Sequence, residues 1–148
     1  MLSGLVLVNL EGDEYMGLVT AALIRDEDKI LIAQRGRSKR FGWKWEFPGG
    51  KVRVDETPED CLQREIKEEI NLEILVEEHF CTVHHQYDDF HIELIAFWCS
   101  IVGGKLQLTE HEQVRWVTVQ EMKQYSFVEA DLHLIAALEE IGLKSPEH

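Results

Sequence analysis

Two apolar, β-branched runs, "GLVTAALIR" and "KILIAQR", stand either side of the turn "DED", which predicts a hairpin at about 17–35. The alternating segments "LEILVEEHFCTVHHQY" and "FHIELIAFWCSIV" predict two long strands joined by "DD", and "GGK" turns the chain again. A short strand is expected around Phe47–Val52 and another at "QVRWVTV". Helical spacing appears in two places. Leu62, Ile66 and Ile70 recur every fourth residue, and "EADLHLIAALEEIG" is an amphipathic closing segment. A short helix fits "TVQEMKQY". Strands, a helix, more strands and a helix predict an α/β fold, with a mixed sheet covered on both faces by helices.

The first helix has clear limits. Thr57 suits the N-cap, Pro58 the first helical position, and Glu59 and Asp60 the positive end of the helix dipole. Asn71 falls where the helix must stop, and asparagine tolerates the left-handed conformation used there. "RGRSKRFGWKWE" is a basic, glycine-containing loop with two tryptophans, while "MLSGLVLVNL" reads as a terminal strand or arm, too short to span a bilayer and lacking the basic start of a signal peptide. The expected division is an arm at 1–16, one domain at 17–142 and a tail at 143–148.

Composition narrows the function. An apolar content of 45% with 29% charged residues is that of an ordinary globular chain. The net charge of −13, from 28 acids against 15 bases, argues against gripping duplex nucleic acid by its phosphates. It leaves room for a small polyanion if metal ions invert the local sign. Cys61, Cys81 and Cys99 are odd in number and lack CxxC spacing, so neither a disulfide framework nor a zinc site is expected, and a reducing cytoplasmic setting is the default. Monomer and homodimer both remain open.

The candidate chemistry lies in "GGKVRVDETPEDCLQREIKEEINLE", residues 49–73. Glu65, Glu68 and Glu69 sit at i, i+3 and i+4, where like charges repel by about 0.2–0.5 kcal/mol per pair. Taken singly, each reads as a solvated helix-face residue. Together they offer the hard oxygens that Mg²⁺ or Mn²⁺ prefers. Gly49 and Gly50 permit close backbone approach, so that a carbonyl can join the ligands, and Arg64 can pair with Glu56 to hold the loop against the helix.

This stretch resembles the Nudix box, G-x5-E-x7-R-E-U-x-E-E-x-G-U with U a bulky aliphatic residue. Gly50, Glu56, Arg64, Glu65, Ile66, Glu68, Glu69 and Leu72 fall in register, and Asn71 replaces the family's last glycine. Both residue types reach positive φ, so the expected cost is at most about 1 kcal/mol. "WEFPGGK" and "ILIAQR" are similar to the MutT branch, with a weaker similarity over about 17–142. The resemblance implies the Nudix α/β/α sandwich and hydrolysis of a nucleoside triphosphate to the monophosphate and pyrophosphate, with Mg²⁺ as cofactor and Mn²⁺ as its substitute. The expected substrate is an oxidised purine triphosphate such as 8-oxo-dGTP or a pyrimidine triphosphate such as CTP or dCTP. A dinucleoside polyphosphate, ADP-ribose, or a nucleotide-binding role without catalysis are the alternatives.

The resemblance also implies roles. The Gly49 carbonyl, Glu65 and Glu69 are the implied metal ligands, with Glu68 helping directly or through water. Glu65 is also a candidate to orient or deprotonate the attacking water. A later acid is expected, and counting back from Trp116 favours Glu110 over Glu112. Arg35 and Lys51 are candidates for the phosphates, with a strand-end charge in water as the plainer reading of Arg35. Lys39 and Arg40 can steer an anion or belong to a flexible loop. Asp131 falls where MutT-like enzymes read the base, and otherwise serves as a helix N-cap. Its carboxyl accepts when ionised and donates when protonated, so guanine-type and cytosine-type edges both fit. Phe127, Trp45 and Phe90 are candidates to stack on a base or to fill the core. His84, His85 and His91 are read as strand residues.

Overall fold

Alternation along the strands sorts their side chains onto two faces, and each face meets one helix. The computed structural model describes residues 7–8, 14–88 and 90–142. The tail expected at 143–148 and most of the arm expected at 1–16 lie outside the described residues. The strands are β1 (Leu7–Val8), β2 (Glu14–Asp26), β3 (Lys29–Gln34), β4 (Trp45–Glu46), β5 (Lys51–Arg53), β6 (Leu72–Gln86), β7 (His91–Gly104) and β8 (Gln113–Val117). The helices are α1 (Pro58–Ile70) and α2 (Glu129–Ile141), with a 3₁₀ turn at Gln120–Gln124 where a short helix was expected. None of these helices is long and apolar enough to cross a membrane.

The sheet is mixed, as expected. β2 runs parallel to β7, from Leu18 opposite Glu93 to Ile24 opposite Cys99, and the other pairings are antiparallel. On one face Ala21, Leu23, Ile30, Ile32, Leu94, Ala96 and Trp98 pack with Ala130, Leu134, Ile135 and Leu138 of α2. On the other Ala22, Ile24, Leu31, Phe97 and Cys99 pack with Leu62, Ile66 and Ile70 of α1. The sorting follows from the two-residue period of a strand, and the three α1 residues recur at the helical spacing that aims them one way.

Local signals hold at α1. Thr57 Oγ1 accepts from the Asp60 N–H at 3.0 Å, a cap contributing about 1 kcal/mol. Asn71 takes φ 60°, and its N–H returns to the Lys67 carbonyl. The strand expected over Phe47–Val52 is different: it breaks between β4 and β5, because Pro48 has no N–H to give a ladder. That break matters for the site. Along one edge, β2 pairs with β5 near Val19 and with β3 near Arg25. Between these partners Thr20 N and Ala22 N donate to the carbonyls of Gly50 (2.8 Å) and Pro48 (2.7 Å). The sheet splays there, opening a cavity over the gap.

Candidate active site

The paired glycines are required by their neighbours. A Cβ on Gly49 would lie 2.0 Å from the Thr20 carbonyl oxygen, and one on Gly50 would lie 2.2 Å from the Glu65 carboxyl carbon. Gly50 therefore lets the Glu65 carboxylate rest directly on the backbone. The Pro48 and Gly50 carbonyls are both taken by N–H groups of β2.

Behind this contact Arg64 holds the approach. Its Nε and Nη2 donate to the two oxygens of Glu56 at 3.0 and 2.7 Å, in the two-pronged geometry that suits guanidinium and carboxylate. Its remaining donors reach Glu65 (3.1 Å), Glu68 (3.2 Å) and the Lys51 carbonyl (3.3 Å). Glu56 also accepts from the Arg53 N–H at 2.9 Å. Hydrogen bonding from Arg64 is the main cause that holds the Glu56 carboxyl below its ordinary range.

The cavity has a volume of about 300 Å³, and Glu46, Glu65, Glu69, Glu110 and Asp131 line it together with Arg35, Lys39 and Lys51. Glu65 and Glu69 are one helical turn apart, so their carboxyls meet. Burial first, and then the hydrogen bond and charge of Glu65, push Glu69 well above the carboxylate range, with Glu46 and Glu110 adding to it. Such a pair is stable only with a proton or a cation between its oxygens.

No group of three His, Cys, Asp or Glu side chains among the described residues converges closely enough to hold a metal alone. The hard-oxygen donor set and the Glu65–Glu69 contact fit a divalent cation.

Of the residues singled out in the sequence, Gly49, Glu65, Glu69, Glu110, Arg35, Lys51 and Asp131 all line the cavity. Glu110 lines it and Glu112 does not; Glu112 accepts instead from the Arg37 N–H at 3.4 Å. Glu110 pairs with Lys39 of the basic loop at 3.2 Å.

Three of these residues take positions that spacing alone does not give. Glu68 is 55% exposed and flanks Arg64 outside the cavity lining, because the i+3 position is rotated away from the Glu65–Glu69 line. Phe127 is 4% exposed and packs on Phe47 in the core (ring centroids 5.5 Å apart), so it offers no face to a base in the cavity. Asp131 is no N-cap. α2 begins at Glu129, the Tyr87 hydroxyl accepts from the Ala130 N–H at 3.1 Å, and Asp131 is 5% exposed with Oδ2 accepting from the Phe47 N–H at 2.8 Å.

Trp45 is core, against Tyr125, and Phe90 lies under the Arg40 guanidinium at 4.7 Å. His84 faces His91 at 3.4 Å and His85 faces His133 at 3.0 Å, away from the cavity.

Glu46 and His111 also line the cavity, joined at 2.8 Å, and sequence reasoning passed over both. A lone charge within the apolar run "WEFP" was a usable signal for Glu46. His111 had none, since its partner is 65 residues away.

The sequence profile described as "NUDIX domain" matches residues 16–138. The chain is similar to a protein named CTP pyrophosphohydrolase from Escherichia coli K12, at 36% identity over 80% of this chain and 88% of that protein. It is similar to an 8-oxo-dGTP diphosphatase from Proteus vulgaris, at 40% identity over 62% of this chain and 81% of that protein. Among solved structures, that of the E. coli ORF135 protein superposes with a TM-score of 0.75 at 34% identity, covering 84% of this chain and 89% of the other.

Proposed function

The chain belongs to the NUDIX domain family, and from that membership we propose how its cavity works and which base it selects. It is a MutT-like Nudix hydrolase that converts a nucleoside triphosphate to the monophosphate and pyrophosphate, with 17–142 as the catalytic domain. Three unpaired cysteines support a reducing, cytoplasmic setting.

A divalent cation, Mg²⁺ or in its place Mn²⁺, would neutralise the polyphosphate and activate the attacking water. The Gly49 carbonyl, Glu65 and Glu69 would hold it, with Glu110 of the later loop adding to them and Glu68 acting through Arg64 or water. Glu65 lies against the backbone of Gly50, so its carboxylate is fixed where it can orient the water. Arg64 keeps that carboxylate in place from behind. Arg35 and Lys51, on the cavity wall, bind the phosphates. The observation that carries this reading is the Glu65–Glu69 carboxyl pair seated against the glycines inside a cavity that also holds Asp131.

Asp131 selects the base. Burial, and after it the charge of Glu46, push its carboxyl up to about 8, so it is neutral at pH 7. A neutral carboxyl offers one O–H donor and one acceptor. That pair matches the N3 acceptor and N4 amine of cytosine, and it also matches the O6 acceptor and N1–H of guanine. An ionised carboxylate, by contrast, suits only the N1–H and N2 amine of guanine. The relative named CTP pyrophosphohydrolase, at 36% identity, supports a cytidine triphosphate as the preferred substrate over an oxidised guanosine triphosphate.

Asp131→Ala is expected to lower the ratio of kcat/KM for CTP over 8-oxo-dGTP by about tenfold or more, the worth of one two-point base contact. Asp131→Asn, which also presents a donor and an acceptor, should keep the preference. In the wild type the preference should fade as pH rises through about 8, where the carboxyl loses its donor, and in Asp131→Asn it should not. An equal loss for every triphosphate in Asp131→Ala would show that Asp131 does not read the base.

A further inference from the structure

Three separate chain segments meet at one carboxylate on the cavity wall. Glu46 closes β4; its Oε1 accepts from Arg35 Nη1 at 2.8 Å, and its Oε2 accepts from His111 Nε2 at 2.8 Å. The glutamate side chain is 16% exposed and the histidine 5%. A carboxylate can only accept, so it makes Nε2 the protonated nitrogen of His111. His111 Nδ1 is buried with no hydrogen-bond partner. A buried orphan of this kind is costly, so the ring is held for what Nε2 does. Arg35 Nε is occupied as well, donating to the Arg40 carbonyl at 2.6 Å. Two of its three guanidinium nitrogens are thus fixed, which turns Nη2 to ligands in the cavity that Arg35 lines.

We propose that Glu46 is a positioning residue that aims Arg35 at the substrate's phosphates and is itself held in place by His111. The proposal rests on the reading of Arg35 as a phosphate contact. Its location argues against a plain structural ion pair. Glu46 adds a negative charge to a cavity already crowded with acids, and it disfavours the ionised forms of both Glu69 and Asp131. A neutral side chain would pack there at less electrostatic cost, but only an anion accepts from both a guanidinium and an imidazole N–H at once.

The test is steady-state kinetics on Glu46→Gln, Arg35→Ala and the double variant, with melting temperatures as a fold control. Glutamine has one acceptor oxygen and an amide that donates, so it satisfies Arg35 or His111 but not both in their native roles. Glu46→Gln is expected to raise KM for the triphosphate about tenfold while kcat changes by less than about threefold, and the double variant should be no worse than Arg35→Ala alone. If Glu46→Gln does not fold, Glu46→Asp, which keeps the charge but shortens the reach, is read by the same criterion. A wild-type KM in Glu46→Gln alongside a raised KM in Arg35→Ala overturns the proposal, as do losses that multiply in the double variant. A wild-type KM in Arg35→Ala refutes the underlying phosphate reading instead.

Discussion

Glu69→Gln is expected to lower kcat by at least about a thousandfold, roughly 4 kcal/mol of barrier, while leaving the metal-free protein at least as stable as the wild type. The two halves of this outcome share one cause. Glu69 sits one turn from Glu65 with its carboxyl in contact, and burial together with that neighbour keeps it protonated far above the carboxylate range. Its charge is unfavourable in the folded protein. Glutamine reproduces the neutral, hydrogen-bonding form and removes the repulsion, so the melting temperature without metal should hold or rise. The same substitution takes away a hard anionic oxygen, and with it the stabilisation that added Mg²⁺ gives by binding the folded state. Melting curves of wild type and variant, with EDTA and with Mg²⁺, separate the effects. A variant that keeps the Mg²⁺-induced rise in melting temperature and normal turnover would remove Glu69 from the cation site.

Arg64→Ala is expected to damage both stability and activity. The guanidinium is 18% exposed and its Glu56 partner 13%, so deletion leaves a largely buried carboxylate with a lost partner. Discounted from the roughly 3–5 kcal/mol seen for fully buried pairs, the cost is about 2–3 kcal/mol, or a fall of about 5–10 °C in melting temperature for a chain of this size. Activity should fall about a hundredfold, because Glu65 loses the donor at 3.1 Å that fixes it and the 51–56 segment loses its anchor. Arg64→Lys should restore part of the stability and little of the activity, since a single ammonium cannot span both Glu56 oxygens.

The pair also sets an acid limb. The Glu56 carboxyl is held below its ordinary 4.5, so the folded state releases that proton more readily than the unfolded chain. The resulting stability is present above about 4.5 and is lost as pH falls through the lowered value. Urea titrations at pH 7 and near pH 4 should therefore show a smaller acid loss in Arg64→Ala than in wild type. Equal melting temperatures and turnover in the two proteins would make Arg64 a surface residue.

What could be read from the sequence and what could not divide along the range of the interactions. α1 was legible because its cap, its proline, its apolar stripe and its αL residue lie within a few positions of one another. The two-face sheet was legible from the period of its strands. Glu65, Glu69 and the glycines could be singled out because they fall at the fixed spacing of one motif, and the structure brings them to one cavity. The break at Phe47–Val52 needed the competition between β3 and β5 for one edge of β2, although Pro48 hinted at it. The cap alternative for Asp131 stayed open because local pattern cannot show that Phe47, 84 residues away, donates to it. Phe127 and Glu68 carry residue types that suit a site, and only the packing turns them away from the cavity. The Arg35–Glu46–His111 bridge joins three segments and has no local signature.

The central claim is that the acid-lined cavity cleaves a nucleoside triphosphate so as to release pyrophosphate with the aid of a divalent cation. Product analysis of CTP incubated with the protein and Mg²⁺, alongside an EDTA control, tests it most directly. The predicted result is CMP and pyrophosphate in equal amounts with Mg²⁺ and none in EDTA. Inorganic phosphate with CDP, or undiminished turnover in EDTA, would contradict it.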